Sequence, residues 1–315
     1  MRLVFFGSGA FGLPTLEALA SRHDLLAVVS QPDRPAGRGG KPTPTPVTDW
    51  ALAQAPRVPL LRTDRVNDPA SAQMLRSLDA DAWVVIAFGQ KLGRTLLEGV
   101  FAANLHASRL PRWRGAAPIH AAILAGDSST GNSVITLADR MDAGDVLGQT
   151  ERRIDPAQTA GELHDLLAMD GPALVLDVLE KRRAGTLVPA PQDESLATLA
   201  PKLGKSDAWV DLSRPADECR RRVHGLTPWP GVAVAFRGEA LKLLRVQPEP
   251  GIHDQAVVGT LTDAAAGRVA CGESGRERLR LLEVQAAGKR GLPWEVFARG
   301  QRVTAGERLR GIETC

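Results

Sequence analysis

Asn104-Leu105-His106-Ala107-Ser108-Arg109-Leu110-Pro111, continuing through Arg114-Gly115-Ala116-Ala117-Pro118-Ile119, follows the uncharged run Ala82-Trp83-Val84-Val85-Ile86-Ala87. The run, with adjacent β-branched residues, reads as the central strand of a sheet. Asn104 and His106 stand two residues apart, so on an extended segment both side chains leave the same face. A loop broken by Pro111 comes next, and then a helical pattern over about 118–125. Open α/β sheets hold their ligands outside the carboxyl ends of strands, where this polar pair falls. A side-chain amide can donate to a developing oxyanion, and an imidazole gives or takes a proton near neutral pH.

Outward from this stretch the chain alternates strand and helix patterns. Leu3-Val4-Phe5-Phe6 reads as a buried strand, and Gly7-Ser8-Gly9-Ala10-Phe11-Gly12 leads into a helix ending near Ser21. Formally this is the dinucleotide fingerprint, which makes an NAD-dependent oxidoreductase the rival reading. The next strand, 25–29, should then end in an acid that grips the ribose. It ends in Ser30-Gln31-Pro32, so the glycines are expected to serve only a tight turn and close helix–strand packing. Helix patterns at 47–55 and 69–78 with a short strand at 58–61 complete a doubly wound, mostly parallel sheet. Residues 126–149 read as a hairpin-like pair beginning at Ser133. A helix over 157–183 carries Leu163, Leu166, Leu167, Leu174, Val175 and Val178 at helical spacing, and Gly171-Pro172 should kink or split it. His164, inside that helix, reads as structural.

Residues 185–205 are linker-like, with Pro189, Pro191 and Pro201 and no sustained period. Beyond them, a short helix at 216–225 and strands at 231–236, 240–246, 257–261, 268–271 and 279–284 suggest a small β-barrel of the OB-like kind. The expected organisation is an α/β domain over 1–189, a linker over 190–206 and a barrel over 207–315. The net charge of +3 is carried by the last part, where 17 basic residues face 14 acidic ones from Asp207 onward. Such an asymmetry hints at a polyanionic partner. Three scattered cysteines without ligand or pairing spacing suit a reducing cytosol. No apolar run approaches the roughly 20 residues that span a bilayer.

Two more stretches complete the reading. Residues 31–46 form a long polar loop, rich in proline and glycine and charged at Arg34, Arg38 and Lys41; regular structure is not expected there. Met141-Asp142-Ala143-Gly144-Asp145 is turn chemistry, and Asp142 stands 38 positions after Asn104. With Asn-x-His-x-Ser-x-Leu-Pro and Arg-Gly-Ala-Ala-Pro-Ile, this pattern resembles the active-site segments of the folate-dependent formyltransferases. The resemblance covers nearly the whole chain. It implies a Rossmann-like formyltransferase domain in which Asn104, His106 and Asp142 are catalytic. Ser108, Arg109, Leu110 and Pro111, with the turn at Phe88-Gly89, would line the folate site. The charged loop resembles that of family members acting on initiator methionyl-tRNA, which makes Arg34, Arg38 and Lys41 its expected tRNA contacts.

The implied reaction moves a formyl group from 10-formyltetrahydrofolate to the α-amino group of methionine on initiator tRNA, without a metal. A cytoplasmic monomer is expected. Formyl transfer to a sugar nucleotide or a purine precursor is the alternative within the family. A non-catalytic RNA-binding module leaves the spacing of the three polar groups unexplained. The chain departs from the family pattern at Ala107 and Arg109, where glycine and leucine are usual, and at Arg140 and Ala143, where glycine and threonine are usual.

Overall fold

A computed structural model describes residues 1–36 and 40–311; Arg38 and Cys315 lie outside the described residues. The chain forms two compact units, each discontinuous in sequence. The first comprises Met1–Gly115, Thr130–Arg152 and His164–Leu199, and the second Ala116–Ser129, Arg153–Leu163 and Ala200–Cys315. Among the described residues no helix is long and apolar enough to cross a membrane.

The first unit is built on a seven-stranded sheet: β1 (Arg2–Gly7), β2 (Asp24–Ser30), β3 (Leu60–Arg62), β4 (Ala82–Ile86), β5 (Ala102–His106), β6 (Ser133–Thr136) and β7 (Val146–Gln149). Their order is β7-β6-β5-β4-β1-β2-β3. The β1–β5 pairs are parallel, and β6 enters antiparallel between β5 and β7. Strands β1 and β4 are apolar almost throughout because helices and loops cover both faces of a parallel sheet. On one face Phe6 packs against Trp83 and Phe88, with ring centroids 5.1 and 5.6 Å away.

Two of the flanking helices start where side chains satisfy their free amides. Thr45 accepts from the Thr48 N–H ahead of Pro46–Gln54, and Asp68 accepts from Ala70 and Ser71 ahead of Pro69–Ser77. In both helices proline takes the first turn, where no amide hydrogen is required.

Two local expectations need correction in this unit. The proline-rich loop holds a two-stranded hairpin, Arg34–Ala36 against Lys41–Thr43, with Pro35 opposite Pro42. An antiparallel ladder alternates bonded and unbonded pairs, and two prolines facing each other fit the pair that needs no N–H. The long helix is uninterrupted from Ala160 to Arg183 with Pro172 inside it, so Gly171-Pro172 does not split it. Gly171 lies against β5: a Cβ there would come within 2.8 Å of Leu105 Cδ2.

The second unit is all antiparallel apart from its helices. Strand order is β10 (Leu261–Asp263), β11 (Arg268–Cys271), β12 (Glu277–Ala286), β9 (Glu239–Glu249), β8 (Val232–Phe236), β13 (Leu309–Gly311). The edges meet at the bridge Thr260–Arg308, supported by Leu261 N–H to Glu307 O (2.8 Å) and Leu309 N–H to Gly259 O (2.8 Å), which closes the sheet into a small barrel. Helix Ala216–Gly225 packs on β9, and Pro118–Ala125 packs on that helix. The strand expected at 257–261 lies instead at Leu261–Asp263, because Val257–Thr260 turns the chain back on itself. Helix Trp294–Gln301 was not legible; it buries Trp294 and Phe297 in the barrel core.

His224 gives this unit a pH dependence. It is buried, its Nδ1 lies 3.2 Å from Pro156 O, and its Nε2 accepts the Val246 N–H at 3.2 Å, which fixes the neutral ring. Burial is the largest cause that pushes its pKa down from 6.5 to about 4. Between those values the unfolded chain binds a proton that the folded one refuses, so stability rises with pH. The melting temperature should be level above about pH 7 and fall between pH 6.5 and 4, a loss on the order of 2–3 kcal/mol. His224→Gln should remove the larger part of the slope in that window, with His23, whose pKa burial also lowers, contributing the remainder; an unchanged slope would assign it to other groups.

Candidate active site

Strand β5 places Asn104 between Val85 of β4 and Ile135 of β6, and His106 opposite Ser133. Ala103 and Leu105, on the other face, are buried, so the period-two alternation turns the two polar side chains one way. Asn104 is half-buried, and among the described residues its amide forms no hydrogen bond. Its donors are uncommitted.

The loop between β6 and β7 carries Asp142, whose φ of +52° lies in the left-handed region. Its Oδ2 accepts the Gly115 N–H at 2.8 Å and faces His106 Nδ1 at 3.5 Å. Both side chains are nearly enclosed, 13% and 7% exposed, so the pair interacts in a weakly screened environment. His106 Nε2 lies 2.8 Å from Trp113 O. A carbonyl can only accept, so Nε2 carries hydrogen and the proton the ring can exchange is at Nδ1, on the Asp142 side.

The residues after His106 are fixed by a second network. Ser108 Oγ donates to Arg112 O (2.6 Å), and Ser133 Oγ donates to Ser108 O (2.7 Å) and accepts the Leu110 N–H (3.0 Å). Gln149 Nε2 donates to Leu110 O at 2.8 Å. Ser108 and Leu110 are buried and Pro111 is half-buried, whereas Arg109 is exposed and pairs with Glu151 at 3.1 Å. Arg140, a second departure from the family pattern, pairs with Glu194 at 2.6 Å.

The phosphate-loop geometry of the first turn is already occupied. Ser8 and Gly9 both donate their N–H to Ala87 O, at 3.2 and 3.3 Å. Cβ atoms at Gly9 and Gly12 would stand 3.3 Å from the Cβ atoms of Ala87 and Ile86. The glycines serve close packing, and these amides are not free to cradle a dinucleotide. Phe88 is buried in the core, so its turn offers backbone only; Phe88 O accepts from Ser8 Oγ and Gln31 Nε2, each at 3.3 Å. Arg34 bonds to Gln31 Oε1 (3.2 Å), and Lys41 is exposed. Neither lies in the Asn104–His106–Asp142 group.

Sequence reasoning missed the roles of Gln192, Arg114 and Glu194, which hold the Asp142 turn, Gln192 from 50 positions away. Gln192 Nε2 donates to Asp142 O (2.8 Å) and Gly144 O (2.7 Å). Hydrogen bonds from Arg114 and then from Arg140 hold the Glu194 carboxyl down to about 2. No period or cap marks Gln192, which sits in an extended, proline-rich stretch. Just before the turn, the loop lines a cavity of about 590 Å³ with Leu92, Leu97, Leu137 and Ala138 on its apolar side and Arg94 and Asp139, an ion pair, on its polar side.

Residues 1–179 match the family model described as formyl transferase, and residues 202–302 match the formyl transferase C-terminal domain. Methionyl-tRNA formyltransferase of Solibacter usitatus is 40% identical over 314 residues, covering 98% of each chain. That of Acidiphilium cryptum is 42% identical over 313 residues, covering 98% of this chain and all of the relative. The chain belongs to the formyl transferase family, among its methionyl-tRNA formyltransferases. Among solved structures, HypX from Aquifex aeolicus in complex with tetrahydrofolic acid superposes with a TM-score of 0.63 at 16% identity. It covers 95% of this chain, which spans about half (47%) of HypX, and at that identity the likeness concerns fold alone.

Proposed function

We propose that Asn104, His106 and Asp142 carry formyl transfer from 10-formyltetrahydrofolate to the α-amino group of methionyl initiator tRNA. The observation that supports it best is the pairing of His106 Nδ1 with Asp142 Oδ2 beside an uncommitted side-chain amide. The amine attacks the formyl carbonyl as a neutral nucleophile. A new C–N bond forms, and the carbonyl oxygen takes the charge, which the Asn104 amide hydrogens stabilise. The amine then surrenders one proton to the Asp142–His106 pair, and the folate nitrogen receives one as its bond to the formyl carbon breaks. Charge is conserved at each step, and no metal ion is required.

The donor is assigned to Ser108–Pro111, the backbone at Phe88-Gly89 and the neighbouring cavity, whose apolar side and charged rim suit a flat heterocycle with polar edges. Residues 1–189 are assigned the chemistry and 207–315 the tRNA, with 190–206 joining them; the basic surplus beyond Asp207 supports this division. The direct test mixes the protein, aminoacylated initiator tRNA and 10-formyltetrahydrofolate and looks for formylmethionyl-tRNA. Formylation of a sugar nucleotide or purine-precursor amine, with none of the tRNA, would overturn the assignment.

Arg34, Arg38 and Lys41 are assigned to tRNA. Single-stranded RNA ends are read by side chains that reach their unstacked bases, a role assigned here to Arg38, with the second unit as the anchor. A charge-assisted arginine–phosphate contact is worth about 1.5–3 kcal/mol. Arg38→Ala should therefore lower kcat/KM on initiator tRNA about 10- to 100-fold and leave folate affinity intact. Parental activity on charged tRNA would make the loop a mere connector.

A further inference from the structure

We propose that Gln192 is a positioning residue for formyl transfer: it aims the Asp142 carboxylate at His106 by gripping the backbone of the Asp142 turn. The proposal rests on the catalytic reading of Asp142 given above. The primary amide of Gln192 has two hydrogens, and both are used on this turn, at Asp142 O (2.8 Å) and Gly144 O (2.7 Å). Its Oε1 accepts from Arg114 Nε (3.0 Å) and Nη2 (2.8 Å). A guanidinium only donates, so the amide cannot be turned over without losing every bond it makes. Orientation is thereby set.

Arg114 is itself immobilised. Its side chain is 6% exposed, and its other edge meets Glu194 through Nη1–Oε2 (3.1 Å) and Nη2–Oε1 (3.0 Å). The next residue, Gly115, donates its N–H to Asp142 Oδ2 at 2.8 Å. One two-residue segment therefore fixes the carboxylate directly and, through Gln192, the backbone that bears it. The device suits the local backbone, because Asp142 sits at φ +52°, a left-handed conformation that Asp and Asn adopt as single turn residues and that local hydrogen bonds hold in place. Without outside support the turn would relax and carry the carboxylate away from His106 Nδ1.

The test is a cycle of Gln192→Glu and Asp142→Asn. Glutamate at 192 keeps the length and the pairing with Arg114 but faces the two turn carbonyls with oxygens instead of N–H donors. Asparagine at 142 tolerates a positive φ and can still accept from Gly115. A misplacement of about 1 Å in a catalytic group can cost 10²-fold. Q192E should lower kcat about 30- to 100-fold while KM for tRNA and for the formyl donor stays within about threefold. In the D142N background Q192E should lower kcat no further, since the group it aims is gone.

Parental kcat in Q192E, or an equal loss in both backgrounds, overturns the proposal, because a purely structural role would act with or without the carboxylate. If Q192E does not fold, Gln192→Met is judged by the same criteria; failure of both to fold also overturns it, since Gln192 then carries the fold and not the aim. D142N with parental kcat removes Asp142 from the chemistry and takes the proposal with it. That failure is distinguishable because it needs no change at Gln192.

Discussion

Replacing His106 by alanine is expected to lower kcat about 10²–10⁴-fold, the usual weight of one acid–base or oxyanion group. The ring is held at both nitrogens, by Trp113 O at 2.8 Å and by Asp142 at 3.5 Å, so its loss leaves Asp142 without a partner through which to pass a proton. Asn104→Ala should cost a similar factor through the oxyanion. Neither residue belongs to the Ser108–Pro111 network, where Ser133 and Gln149 set the backbone independently. Folate binding, measured by equilibrium titration, should change less than about threefold while single-turnover formylation collapses. Turnover near the parental rate in either variant would remove that residue from the mechanism.

Gly144→Ala is expected to be damaging in a different way. A Cβ at this position would lie 1.8 Å from Thr136 O and 2.8 Å from Thr136 Oγ1, closer than any real contact allows. The obstacle is main chain, so no rotamer change relieves it. The turn is also tied to the end of β6 by Thr136 N–H to Asp145 O (2.9 Å) and Asp145 N–H to Thr136 Oγ1 (2.9 Å). Making room means breaking those bonds and lifting the segment that carries Asp142. A stability loss of about 1–3 kcal/mol follows from overpacking, together with a fall in kcat of about 10²-fold from the displaced carboxylate. Thermal melting and initial-rate assays read the two effects separately. A variant that melts and formylates like the parent would show that the turn has slack the geometry does not display.

Periodicity and turn chemistry carried the local reading because they act over a few residues. The apolar run before Phe88 had to be an inner strand of a parallel sheet, and strand alternation put Asn104 and His106 on one face. The helix patterns at 47–55 and 69–78 correspond to helices Pro46–Gln54 and Pro69–Ser77. Pattern failed where distant contacts override local preference. Pro35 and Pro42 face each other in a hairpin because the two segments lie in register, and Pro172 stays inside a helix whose Gly171 lies against Leu105.

The sequence by itself determined the strand-and-helix order, the shared face of Asn104 and His106, and the turn at Asp142. Only the tertiary structure decided that Asp142 reaches His106 Nδ1, that Trp113 O fixes the other ring nitrogen, and that Gln192 grips the turn from 50 residues away. It also decided that Arg109 and Arg140 find Glu151 and Glu194. The physical reason is range. Backbone propensity and hydrophobic period are properties of neighbouring residues, whereas these pairings depend on which strands lie side by side and on how far each loop folds back.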